Sequence, residues 1–411
     1  MAKQNQKRLP KRHEIPQEYK WRLEDIYPST EEWEKDFEWV KENLPAVVEY
    51  KGKLGQSADS LLQGLNKYTS IMQKVEKLYV YARMKKDEDN TVPESQALMD
   101  RAQALMVEFD SAVSFLIPEI LAIPAERLQE FLDSHEGLKP YDHFIENLIR
   151  QKEHVLSPRE EEILAMTGEI AAAPEQIFTM INDADIRFPS IRDENGEEVE
   201  LTKGRYISFM ESKDRRVRKD AFTALYSTYE KQKNTIAATL NYSIKKDIFY
   251  SRMRKYSSTL EAALDSDNVP VSVYDNLIAA VENNLKYMHR YVSLRKRALG
   301  LDELHMYDLY VPIVKDIDVE SPYEEAKKMV EEGLAPLGEE YISILREGFN
   351  SGWIDVMENE GKTSGAYSWG CYDTHPYVLL NYQPNIDNVF TLAHEMGHAI
   401  HSYKSNKSQP Y

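Results

Sequence analysis

The chain has 411 residues, 42% of them hydrophobic and 29% charged, the balance of a globular protein with a real core. Its net charge of −18 repels nucleic acid and anionic lipid, and no run approaches the roughly 18 apolar residues of a membrane span. A single cysteine, Cys371, excludes a disulfide within the chain and points to a reducing compartment, so a cytoplasmic protein is expected.

The N-terminal MAKQNQKRLPKRHEIP is basic but has no apolar stretch, so residues 1–20 are expected to form a flexible tail and not a secretory signal. From about Thr30 to Gln176 the pattern is helical. In LLQGLNKYTSIMQKVEKLYVYARM, apolar residues recur at helical spacing from Leu61 to Ala82, the mark of a packing face. PESQALMDRAQALMVEFDSAVSFL repeats the pattern, with Pro93 suited to a first turn. SPREEEILAMTGEI offers Ser157 as N-cap, Pro158 in the first turn and acids facing the positive end of the helix dipole.

RFPSIRDENGEEVELT breaks the helical text. Asn195-Gly196 between short alternating segments predicts a small β-hairpin and a lobe boundary, giving a helical lobe over 21–190 and a second domain over 191–411. Helical periodicity resumes from Tyr206 to about Ala298, with a turn at Asp267-Asn268. After a further helical stretch, WIDVM and PYVLLNY read as strands around the glycine-containing GKTSGAYSWG. PYVLLNY fits either a core strand or an edge strand whose backbone could pair with an extended peptide. The fold class expected is mainly α, with the hairpin and a short β-sheet beside the last helix.

That helix is NVFTLAHEMGHAIHSY. Leu392, Ala393, Met396, Ala399, Ile400 and Tyr403 form its packing face. His394 and His398 stand one turn apart and can share one metal, while Glu395 can reach a metal-activated water as general base. At this composition chance gives roughly 0.02–0.03 HExxH matches in the chain, so a zinc peptidase is the reading. His401 lies about 10 Å further along the axis than His394, too far for one metal to span. The metzincin pattern is excluded, because it needs Gly where His401 stands and His where Lys404 stands.

HEMGHAIHSY, with GKTSGAYSWG, THPYVLLNY and the early WRLEDIYPSTEEWEKDF, resembles the oligoendopeptidase F family, in the thimet-oligopeptidase class of zinc metallopeptidases. The resemblance implies an elongated helical body around a deep channel that admits short peptides and excludes folded proteins. It assigns zinc to His394 and His398 and the base to Glu395. It also implies that GAYS and HPYVLLNY flank the bound peptide, which nominates Gly365, Ala366, Tyr367, His375 and Asn381 as substrate-binding residues.

A catalytic zinc needs a third protein ligand. In the family it is a glutamate on a following helix. Thirteen residues follow His398 and none is Asp, Glu or Cys, so the chain is expected to be truncated, with the third ligand beyond Tyr411. Upstream substitutes would be Cys371, Asp373 or His375. The function expected is a zinc-dependent endopeptidase of oligopeptides, with no nucleic-acid or membrane partner. The alternative is an inactive remnant that at most binds peptide. Loss of a following helix is expected to leave the packing face of 392–403 partly bare and prone to association.

Overall fold

A computed structural model describes residues 8–314 and 320–409. The N-terminal part is helical: α1 (Thr30–Val48), α2 (Ala58–Glu88), α3 (Pro93–Val113), α4 (Leu116–Ala122), α5 (Ala125–Ser134), α6 (Asp142–Arg150), α7 (Pro158–Met166) and α8 (Gly168–Thr179). Local chemistry sets several of the ends. Pro93 occupies the first turn of α3, where a missing N–H costs nothing. Ser157 and Glu160 form a capping box at α7.

The hairpin pairs β1 (Ser190–Arg192) with β2 (Glu198–Glu200), Ile191 opposite Val199. Gly196, at φ +80°, takes the left-handed position of its loop, and its N–H donates to the Asp193 carbonyl. Then come α9 (Lys203–Glu211), α10 (Arg215–Met253), α11 (Thr259–Asp265) and α12 (Val271–Ala298). The turn into α12 has Asn268 at φ +54°, as its sequence suggests.

The last part contains α13 (Tyr323–Leu334), α14 (Glu339–Asn350), β3 (Ile354–Asp355), β4 (Tyr367–Trp369), β5 (Tyr377–Leu379) and α15 (Ile386–Ser408). The sheet order is β3-β5-β4, with β5 parallel to β3 and antiparallel to β4. PYVLLNY therefore supplies the central strand, fully buried; the edge-strand reading passes to β4, which carries the GAYS text.

Three expectations need correction. The supposed flexible tail is fastened from Arg8 onward, while residues 1–7 lie outside the described residues. It forms short turns at Arg12–Glu14 and Gln17–Tyr19, and Arg12 reaches Asp355 and Glu88 at 2.5 and 2.9 Å. The 190/191 division does not divide the core either, since Trp21, Trp33 and Phe109 share one cluster with Cys371, Tyr377 and Leu379. Nor is the face of 392–403 bare. Leu392, Met396, Ala399 and Ile400 are buried against residues of α13, α14 and the sheet. Exposed apolar residues lie elsewhere, for example on α12 at Tyr274, Leu277, Ile278, Val281 and Met288.

Candidate active site

Helix α15 begins where the Asn385 side chain accepts from the Asn388 N–H at 3.0 Å. Its buried residues recur at three- and four-residue steps: Val389, Leu392, Met396, Ala399 and Ile400. This fixes the rotation of the helix and leaves His394 and His398 on the exposed side. Their imidazoles meet edge to face, with ring centroids 4.7 Å apart and Nε2 atoms 3.1 Å apart. Two nitrogens bound to one tetrahedral zinc at about 2.0–2.1 Å would lie about 3.3 Å apart. The pair therefore fits two positions of a zinc site as it stands. Glu395, which follows His394 in the chain, is only 8% exposed.

Among the described residues no three His, Cys, Asp or Glu side chains converge as a metal site. Each upstream substitute is engaged elsewhere. The Cys371 thiol is buried beside the Thr374 hydroxyl, 3.3 Å away. Asp373 pairs with Lys77. His375 stacks on Trp353 and holds Asp25 at 3.0 Å through Nε2.

A cavity of about 680 Å³ opens beside the N-terminal half of α15, at Asp387, Asn388 and Thr391. Thr391 stands one turn before Glu395. Of the nominated substrate residues, Gly365, Ala366 and Asn381 line this cavity. Asn381 holds the loop in shape, its Nδ2 donating to the carbonyls of Thr363 and Gly365 at 3.0 and 2.9 Å. Tyr367 and His375 do not line it. The Tyr367 hydroxyl donates to Asp87 at 2.8 Å, and its ring packs with Trp21 on the α2 side of the sheet. His375 lies on the Asp25 side.

Sequence reading missed the polar frame behind the cavity. Lys362 is fully buried, 2.6 Å from Asp355, and its Nζ also donates to the Met357 and Leu380 carbonyls at 2.7 and 2.5 Å. Burial alone would push the Asp355 carboxyl up. The Lys362 ammonium and Arg12 guanidinium outweigh it and hold that carboxyl below its usual range. Glu358 lies under the start of α9, accepting from the Thr202 hydroxyl at 3.0 Å and the Gly204 N–H at 3.3 Å. Burial keeps its carboxyl above the usual range despite these bonds. Gly204 makes room for it, since a Cβ there would stand 2.6 Å from a Glu358 oxygen. The sequence signal was weak, because Asp355, Glu358 and Lys362 stand among other polar residues in WIDVMENEGKTSGA.

The chain matches the Peptidase family M3 model over residues 208–411 and the Oligopeptidase F model over 119–188. It is 49% identical to oligopeptidase PepF of Bacillus subtilis over 98% of its own length and 60% of the relative's. It is 44% identical to an oligoendopeptidase F homolog of Lactococcus lactis over 97% and 67% of the two chains. The crystal structure of oligoendopeptidase-F from Enterococcus faecium superposes with a TM-score of 0.71 at 37% identity, covering 91% of this chain and 63% of that one. The chain thus spans 60–67% of the length of these two curated relatives.

Proposed function

The chain belongs to the oligoendopeptidase F family, and from that premise we infer that its whole protein is a zinc-dependent endopeptidase cutting internal bonds of short oligopeptides. The observation that carries this reading is the convergence of the His394 and His398 Nε2 atoms to 3.1 Å beside Glu395. His394 and His398 would hold the zinc. When bound, zinc acidifies a water and polarises a carbonyl. Glu395 sits next to the first histidine, where its carboxylate can take a proton from the attacking water and return it to the leaving amine. The edge strand β4 offers backbone groups to an extended peptide, and the cavity lined by Gly365, Ala366 and Asn381 receives its side chains.

No helix among the described residues is long and apolar enough to cross a membrane. With the single cysteine and the acidic surface, this supports a cytoplasmic enzyme acting on free peptides. A second reading is peptide binding by this chain without turnover, favoured because only two metal-ligating side chains converge among the described residues. Incubating the purified chain with an unstructured decapeptide, with and without chelator, separates the two. Chelator-sensitive internal cuts support the first reading, and binding without cuts the second. Efficient cutting of a stable folded protein would count against the size-selective channel.

A further inference from the structure

The cavity has a wall that no motif announces. Arg8 and Leu9, at the start of the described chain, line it together with Glu358, Gly361, Gly365 and Ala366. The segment reaches that place along one bond to a side chain and two between backbones. The Leu9 N–H donates to Glu200 Oε2 at 2.8 Å, the Glu360 N–H to the Pro10 carbonyl at 2.9 Å, and the Val356 N–H to the Tyr19 carbonyl at 2.9 Å. These three bonds are few for a segment of this length, and Pro10 and Val356 at two of them are buried.

Arg12 supplies the fixed point. Its guanidinium grips Asp355 with two parallel bonds, Nη1 to Oδ1 at 2.7 Å and Nη2 to Oδ2 at 2.5 Å, and Nη2 also reaches Glu88 at 2.9 Å. The Arg12 side chain is 17% exposed and that of Asp355 is wholly buried. Such a two-point grip fixes direction as well as distance, which a single ammonium cannot do. Asp355 also binds Lys362 at 2.6 Å, and Lys362 holds the Leu380 carbonyl next to Asn381. Asn381 in turn pins Thr363 and Gly365. One continuous polar chain therefore runs from the N-terminal segment to the loop that leads into edge strand β4.

We propose that Arg12 is a positioning residue for peptide binding, clamping the N-terminal strap and the Glu358–Ala366 loop into one wall of the cavity. Arg12 touches neither the histidines nor Glu395 and takes no part in metal binding. The peptide half of the proposal rests on the peptidase reading; the clamp itself does not.

The test compares the wild-type chain with Arg12→Ala and Arg12→Lys. Amide hydrogen exchange, melting temperature, zinc content and affinity for a fluorescein-labelled unstructured decapeptide are measured for each. In Arg12→Ala, exchange over 8–14 and 358–366 should rise at least about tenfold, with α3 unchanged. Peptide affinity should fall about tenfold and zinc content should not move. Arg12→Lys keeps the charge but loses the fork, so it should show the same pattern at smaller amplitude. If Arg12→Ala does not fold, Arg12→Lys decides. Unchanged exchange in both segments would overturn the clamp, and so would a rise spread evenly over the chain. Unchanged peptide affinity with loosened segments would overturn the peptide half. A wild-type chain that binds no peptide would refute the peptidase reading and that half together, while exchange still decides the clamp.

Discussion

Gly361→Ala should loosen the loop behind the cavity far more than Gly365→Ala, although both glycines lie in the same motif and both have positive φ, +76° and +86°. The left-handed backbone costs an alanine about 1–2 kcal/mol at either position. At Gly365 nothing lies within 4 Å of the added Cβ, so the cost ends there. At Gly361 the Cβ would stand 2.1 Å from an Asp89 oxygen that is itself held by the Thr91 N–H and hydroxyl at 2.9 and 2.6 Å. Relief must move the loop or Asp89. Moving the loop strains the Gly361 carbonyl, which accepts from the Asn90 N–H at 2.8 Å and its Nδ2 at 3.1 Å. Losing two or three hydrogen bonds at about 1 kcal/mol each gives a total of about 3–5 kcal/mol. With about 2.1 cal/mol/K per residue, a 411-residue chain melts about 1 °C lower per kcal/mol. Thermal scans should therefore show Gly361→Ala down by about 3–5 °C and Gly365→Ala by about 1–2 °C. Equal shifts would refute the steric argument, and a larger loss at Gly365 would reverse it.

Burial pushes the Cys371 thiol up to about 12, so iodoacetamide at pH 8 should label it slowly in the folded chain and quickly after denaturation; prompt labelling of the folded chain would contradict its burial. Burial also raises the Asp308 carboxyl, but hydrogen bonds from Arg215 and Arg218 outweigh it and hold it at about 2. Its unfolded value is about 3.9, so this stability is present above roughly pH 4 and lost as pH falls toward 2, about 2–3 kcal/mol in all. Asp308→Asn should lack that part of the acid dependence, and identical acid-unfolding curves would refute it. Tyr367→Phe should cost about 1 kcal/mol through the lost Asp87 bond yet leave peptide affinity unchanged, since the hydroxyl faces away from the cavity; weakened binding at unchanged stability would restore Tyr367 to the site.

Where partners are close in sequence, the residues announced the structure. The 3.6-residue recurrence in α2 and α3, the capping box at Ser157, the Asn-Gly hairpin and the one-turn spacing of His394 and His398 all needed only local geometry. Arg12 shows the opposite case. It read as one more charge in a basic tail because its partner lies 343 residues away. Tyr367 looked like a site residue by its motif. Strand alternation puts it on one face with Trp369, toward α2, and that period of two was present in the text. The covering of α15 was partly legible as well. α13 and α14 carry Tyr323, Ala326, Val330, Ile342 and Leu345 at helical spacing, and these residues bury the face that the reading left bare.

The most direct test is a zinc competition titration on this chain, on His394→Ala, His398→Ala and Glu395→Gln. The converging imidazoles predict one zinc per chain, held weakly by two ligands and readily stripped by a chelator. It should be lost in either histidine variant and kept in Glu395→Gln. Zinc that survives both histidine substitutions would contradict the metal site assigned to α15.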